Sequence, residues 1–148
     1  MQYIIRLNNK SYKNLDAIDK VYKYMTRPSK AGGMVGGCNV IPENAICMMK
    51  AVKQIYNKEG GRQLLHIVLS FPPGVAVADE AMFEISSYIA SYFRNHQVVF
   101  SIHSDTNHMH SHFMVNTISF ADGSKITNNS KINQDLHALC DAILNPQN

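Results

Sequence analysis

Four of the seven histidines fall within ten residues, at His103, His108, His110 and His112, with Asp105 among them. Apolar, β-type sequence frames the run: residues 98–102 lead into it and residues 113–118 leave it. This reads as strand, short turn, strand. Alternate side chains of a strand share a face, so His110 and His112 point one way, together with Met114 and Asn116. On the preceding strand His103 is in phase with Val99 and Ser101. Folding the turn back brings His103 towards the other two. Three imidazoles then converge with a position left open, the arrangement of a catalytic three-histidine metal site. Asp105 is placed to accept a proton from a ligand's second nitrogen and fix its tautomer. His108 falls in the turn, which should aim it elsewhere. A short His-rich tract can bind metal adventitiously. Four histidines and an aspartate between two apolar strands go beyond that pattern.

The elements that position this cluster read as α+β, in one domain of 148 residues. Residues 2–7 suit a short strand. Asn14 can cap a helix over residues 15–25, with Leu15, Ile18, Tyr22 and Met25 as its buried stripe. Tyr24 lies well off that stripe, on the polar side, among Lys20, Lys23, Arg27 and Lys30. Pro28 ends the helix. Residues 31–37, with four glycines, read as a mobile loop. Pro42 opens a second helix over residues 43–57, with Ala45, Met48, Met49, Val52, Ile55 and Tyr56 inward. Residues 64–71 form a strong strand in which His66 is expected to be a satisfied core or sheet-face histidine. Asp79 caps a third helix over residues 80–94. After the histidine strands, Asp122-Gly123 signals a tight turn, with a short strand from Lys125-Ile126. A last helix covers residues 131–144. A central antiparallel sheet carries the histidine hairpin, with helices packed against one face.

Charge is unevenly spread. Residues 1–62 hold eleven Lys/Arg and four Asp/Glu, whereas residues 63–148 hold three and seven. A basic front half beside a histidine cluster points to a polyanionic substrate, with Lys20, Lys23, Arg27 and Lys30 as phosphate contacts. Cys38, Cys47 and Cys140 have no C-x-x-C spacing and suggest reduced thiols in a cytoplasmic protein. No apolar run approaches the length of a membrane span, so no membrane insertion is expected.

The pattern His103-x-Asp105-x-x-His108-x-His110-x-His112, followed by Asn116, resembles the metal motif of conjugative relaxases. These are the relaxase/mobilisation nucleases of the HUH endonuclease superfamily. Residues 24–30, Tyr-Met-Thr-Arg-Pro-Ser-Lys, resemble that family's nucleophile segment. Residues 60–62, His66 and residues 70–74 resemble the strand that leads to its third helix. The likeness spans roughly residues 15–145.

The resemblance implies Tyr24 as nucleophile and His103, His110 and His112 as ligands of a divalent metal. Asp105 would orient a ligand or help to deprotonate the tyrosine. His108 and Asn116 would serve as a base or as partners of the ligands. The metal would be Mg or Mn in the cell, with Zn, Ni or Cu able to substitute in vitro. The substrate would be single-stranded or extruded transfer-origin DNA. Accessory relaxosome proteins and a coupling protein would be the partners. Residues 1–148 would then be the nuclease domain, as the N-terminal part or a short version of a longer relaxase. Two other readings stay open on the residues alone. One is a metal-dependent phosphoesterase using a metal-bound water. The other is a DNA-binding module with a structural metal site.

Overall fold

A computed structural model describes residues 1–28, 32, 34–104 and 108–147. Asp105 and Lys30 lie outside the described residues. The strands are β1 (Ile4–Leu7), β2 (Val35–Cys38), β3 (Leu64–Ser70), β4 (Val98–His103) and β5 (His110–Asn116). The helices are α1 (Ala17–Met25), α2 (Ala45–Ile55), α3 (Asp79–Ser91) and α4 (Asn129–Leu144). Among the described residues the strands form one antiparallel sheet in the order β1-β3-β5-β4-β2. The fold is α+β, and the histidine hairpin is at its centre: β5 is the middle strand and β4 its neighbour.

Helices cover both faces of the sheet, not one. On the first face α1 and α2 pack Ile18, Val21, Met25 and Met49 onto Leu64, Val99 and Met114. On the second, α3 and α4 pack Met82, Ile89, Leu136 and Cys140 onto Leu65, Ile67, Phe100, Phe113 and Val115. The cause is in the strands. Residues 64–69 are apolar at nearly every position, and β4 is buried throughout. Strands apolar on both faces need cover on both. Each large side chain removed from water contributes about 1.5–3 kcal/mol, so the sheet is a firm platform.

Local boundaries differ from the sequence reading in instructive ways. α1 begins at Ala17, with Asp16 at its cap position, while the Asn14 carbonyl accepts from the Ala17 amide. Leu15 therefore lies before the helix and is 69% exposed. Val21 takes its place on the buried stripe, and Tyr22 is half-buried. In α2 the inward face includes Lys53, while Ile55 is 75% exposed. Lys53 Nζ donates to the Gln63 carbonyl at 2.8 Å, and burial pushes its pKa down to about 8. α4 is capped by Asn128, whose side chain accepts from the Lys131 amide. The turn at Asp122-Gly123 forms, but the segment after it makes only an isolated Ile118–Lys125 bridge.

The glycine-rich stretch contributes a strand. Residues 35–38 are β2, paired to β4 with Gly36 opposite Phe100. A Cβ on Gly36 would lie 2.3 Å from the Phe100 ring. Glycine is needed there so that the aromatic ring can lie across the edge strand.

Candidate active site

Strand register builds the site. His103 pairs with His110, and Ser101 with His112, across β4 and β5. The His103, His110 and His112 side chains consequently share one face. Each can present one ring nitrogen, all within 4.8 Å of one another. His103 is fully buried, His112 is 7% exposed and His110 is half-buried at the rim.

Hydrogen bonds fix how the rings sit. His103 Nε2 donates to the main-chain carbonyl of Met25 at 2.8 Å, with the Ser101 hydroxyl 3.2 Å from the same nitrogen. His110 Nδ1 donates to the His108 carbonyl at 3.1 Å. His112 Nδ1 is 2.8 Å from Nε2 of His66 on β3. His66 Nδ1 is in turn 2.9 Å from the Tyr12 hydroxyl. Burial pushes His112 down to about 3 and His66 down to about 4, with neighbouring positive charge lowering both further. Both rings are therefore neutral at pH 7. Neutral imidazole is the form that binds a metal, and a set of three imidazole nitrogens from His103, His110 and His112 suits a borderline divalent ion. The residues fit a metal centre.

The Met25 carbonyl has a second consequence. Met25 is the last residue of α1, so its bond to His103 pins the C-terminal end of that helix to the triad. Tyr24, one residue earlier, packs its ring on two of the histidines. Its centroid is 6.2 Å from that of His103 and 5.7 Å from that of His112, edge-on to both. Tyr24 is 43% exposed. A cleft of about 880 Å³ opens beside it, running from the Asn8–Asn14 loop past Lys10, Lys13 and Lys20 to Tyr24, His66 and His112.

A family model described as relaxase, MobA/VirD2-like, nuclease domain, matches residues 24–148. The chain belongs to this relaxase family. It is 32% identical over 97 residues to Protein rlx of Staphylococcus aureus, covering 64% of this chain and 28% of that protein. A second Protein rlx from the same organism is 31% identical over 98 residues, covering 64% of this chain and 30% of its own length. The match thus spans under a third of these curated relatives.

Within this relaxase domain the structure gathers some of the sequence-predicted residues and separates others. His103, His110, His112 and Tyr24 come together. His108 is exposed and contributes its carbonyl to His110. Asn116 does not join them, although it is in phase with His112. It sits at the far end of β5, where its amide donates to the Met49 carbonyl at 3.2 Å and to Gln97 Oε1 at 3.0 Å. Two residues rise about 7 Å along a strand, and His112 is four residues away. Asn116 therefore closes the sheet's interior and is no neighbour of the triad.

Lys20, Lys23 and Arg27 are exposed on or after α1. Lys20 pairs with Asp16 at 3.1 Å. His66 is a satisfied sheet-face histidine, but the side chain that satisfies it from within the sheet is a triad member. The signal for this was a polar residue inside an apolar strand. Tyr12 carried no signal, because the turn that presents it has no periodicity to read. No helix among the described residues is long and apolar enough to cross a membrane.

Proposed function

We propose that this chain is the DNA-nicking domain of a conjugative relaxase, acting through a covalent phosphotyrosine. The observation that carries this reading is the exposed Tyr24 ring packed against His103 and His112 at the mouth of a lysine-lined cleft. His103, His110 and His112 would hold a divalent metal. Mg or Mn is proposed in the cell, and Zn, Ni or Cu as substitutes in vitro. When bound, it supplies positive charge to the non-bridging oxygens of the scissile phosphate.

The chain's own residues do the rest. Tyr24 attacks the phosphorus in line. A bond forms from its phenolic oxygen to phosphorus, and the bond from phosphorus to the 3′ oxygen breaks. The product is a 5′-phosphotyrosyl link and a free 3′ hydroxyl, so the phosphodiester energy is retained for rejoining. The phenol has a reference pKa near 10, so its proton must pass to a base. His108 and Asp105 are the proposed acceptors, and the departing 3′ oxygen takes up a proton. The Met25–His103 bond holds Tyr24 in register with the triad while this happens. Lys20, Lys23, Arg27 and Lys30 are proposed phosphate contacts for single-stranded or extruded transfer-origin DNA. Accessory relaxosome proteins and a coupling protein are the proposed partners, in the cytoplasm.

The test is incubation with a transfer-origin oligonucleotide and metal. A protein–DNA adduct that survives denaturant supports the reading. Clean hydrolysis without an adduct points instead to a phosphoesterase, and unchanged DNA after tight binding to a non-catalytic module.

A further inference from the structure

The triad is joined to the cleft by a second route that does not involve Tyr24. Tyr12, His66 and His112 form an unbroken chain of hydrogen bonds, Tyr12 Oη to His66 Nδ1 at 2.9 Å and His66 Nε2 to His112 Nδ1 at 2.8 Å. All three side chains line the cleft. Tyr12 is held there at some cost. Its φ is +48°, a left-handed conformation that a bulky residue rarely adopts. The loop is clamped by the Gln63 amide on the Tyr12 carbonyl at 2.9 Å and by the Arg62 guanidinium on the Lys10 carbonyl at 2.9 Å. A strained residue whose loop is anchored at Lys10 and at its own carbonyl is being placed for something.

Donor and acceptor accounting gives the chain a direction. An imidazole cannot use one nitrogen for a hydrogen bond to His66 and the same nitrogen for a metal. His112 commits Nδ1 to His66, so it must meet a metal through Nε2. Neutral His112 then carries its proton on Nδ1 and donates it to His66 Nε2. His66, having accepted there, carries its proton on Nδ1 and donates it to the Tyr12 oxygen. The hydroxyl proton of Tyr12 is left for a different acceptor. Phosphate oxygens only accept.

We propose that His66 is a positioning residue for His112, and that the Tyr12–His66–His112 chain turns the Tyr12 hydroxyl into a phosphate donor in the cleft whenever the triad holds a metal. The consequence is a coupling. Metal at His112 strengthens the grip of Tyr12 on a DNA strand, and by reciprocity the strand strengthens the metal site. Without metal the chain can reverse, with Tyr12 donating inwards to His66 and no proton offered to the cleft. This rests on the triad being a metal site, as proposed above.

Cobalt(II) titration, followed by its visible absorption or by calorimetry, tests the first half without any cleavage. His66→Phe keeps the ring volume and removes the acceptor. It should lower cobalt affinity tenfold or more, as loss of a ligand's hydrogen-bond partner does. His66→Gln, which restores an acceptor, should recover most of that loss. Thermal unfolding of the metal-free variants shows whether they are folded. Binding of a fluorescent oligothymidylate tests the second half, since a phosphate contact needs no particular sequence. Tyr12→Phe should weaken binding about fivefold in the cobalt-loaded protein, the effect of one hydrogen bond, and clearly less in the metal-free protein. A folded His66→Phe with wild-type cobalt affinity, or an equal loss in Tyr12→Phe with and without cobalt, overturns this inference alone. A wild-type protein that binds no cobalt overturns the metal reading as well.

Discussion

His66 and His112 make the metal-free protein sensitive to acid. Burial lowers both, to about 4 and about 3, while histidines in an unfolded chain titrate near 6.5. Their contribution to stability is full above about pH 6.5. As pH falls below that, the unfolded chain takes up protons that the folded chain refuses, so stability declines towards the folded pKa values. The slope is at most about 1.4 kcal/mol per pH unit for each histidine. Urea unfolding in chelator at pH 7.5, 6.0 and 5.0 should show a midpoint that drops steadily, and a flat profile would contradict the burial argument. Tyr24→Phe removes one hydroxyl from an exposed ring and should stay within about 0.5 kcal/mol of wild type. Met25→Ala, at a fully buried position, should cost about 2–5 kcal/mol and loosen the bond that ties α1 to His103. The histidine spacing and the off-stripe position of Tyr24 were readable in the sequence, because strand and helix periods dictate them. Tyr22 packs against the core on the same face as Ile18 and Met25, half-buried and not fully enclosed. The helix starts two residues later than its polar signals suggest, so Val21 carries the packing that Leu15 was expected to share.

Among the elements, β2 was the hardest to read, and the reason is physical. Glycine has little preference for strands, and the four glycines of residues 31–37 look like a loop. Gly36 is in the sheet through its pairing with Phe100, far away in the chain, and the Phe100 ring leaves no room there for a Cβ. Gly36→Val should therefore destabilise the protein by roughly 1–3 kcal/mol, the usual penalty for forcing atoms into a filled site. Chemical denaturation checks this, and a neutral or stabilised Gly36→Val would mean that Phe100 is free to move aside. The placement of helices on both faces was legible in principle from strands without polar alternation, since a one-sided sheet would have shown it.

For the molecule as a whole, net charge overstated the surface available to DNA. Lys53 points inwards to the Gln63 carbonyl and cannot meet a phosphate. Lys10, Lys13 and Lys20 instead line the cleft that reaches Tyr24. Three or four phosphate contacts along it imply a log–log salt slope of roughly −2 to −3 for a single strand. Anisotropy titrations across salt concentrations should find that slope, and a flat response would remove the electrostatic part of the reading. Whether Tyr24 is the nucleophile is decided by trapping. The protein is incubated with manganese and an oligonucleotide carrying a transfer-origin sequence, then denatured, digested and mass-mapped. The expected result is a phosphotyrosyl link on the Tyr24 peptide that is absent in chelator and in Tyr24→Phe. A link on Tyr22, or an adduct that persists in Tyr24→Phe, would contradict it.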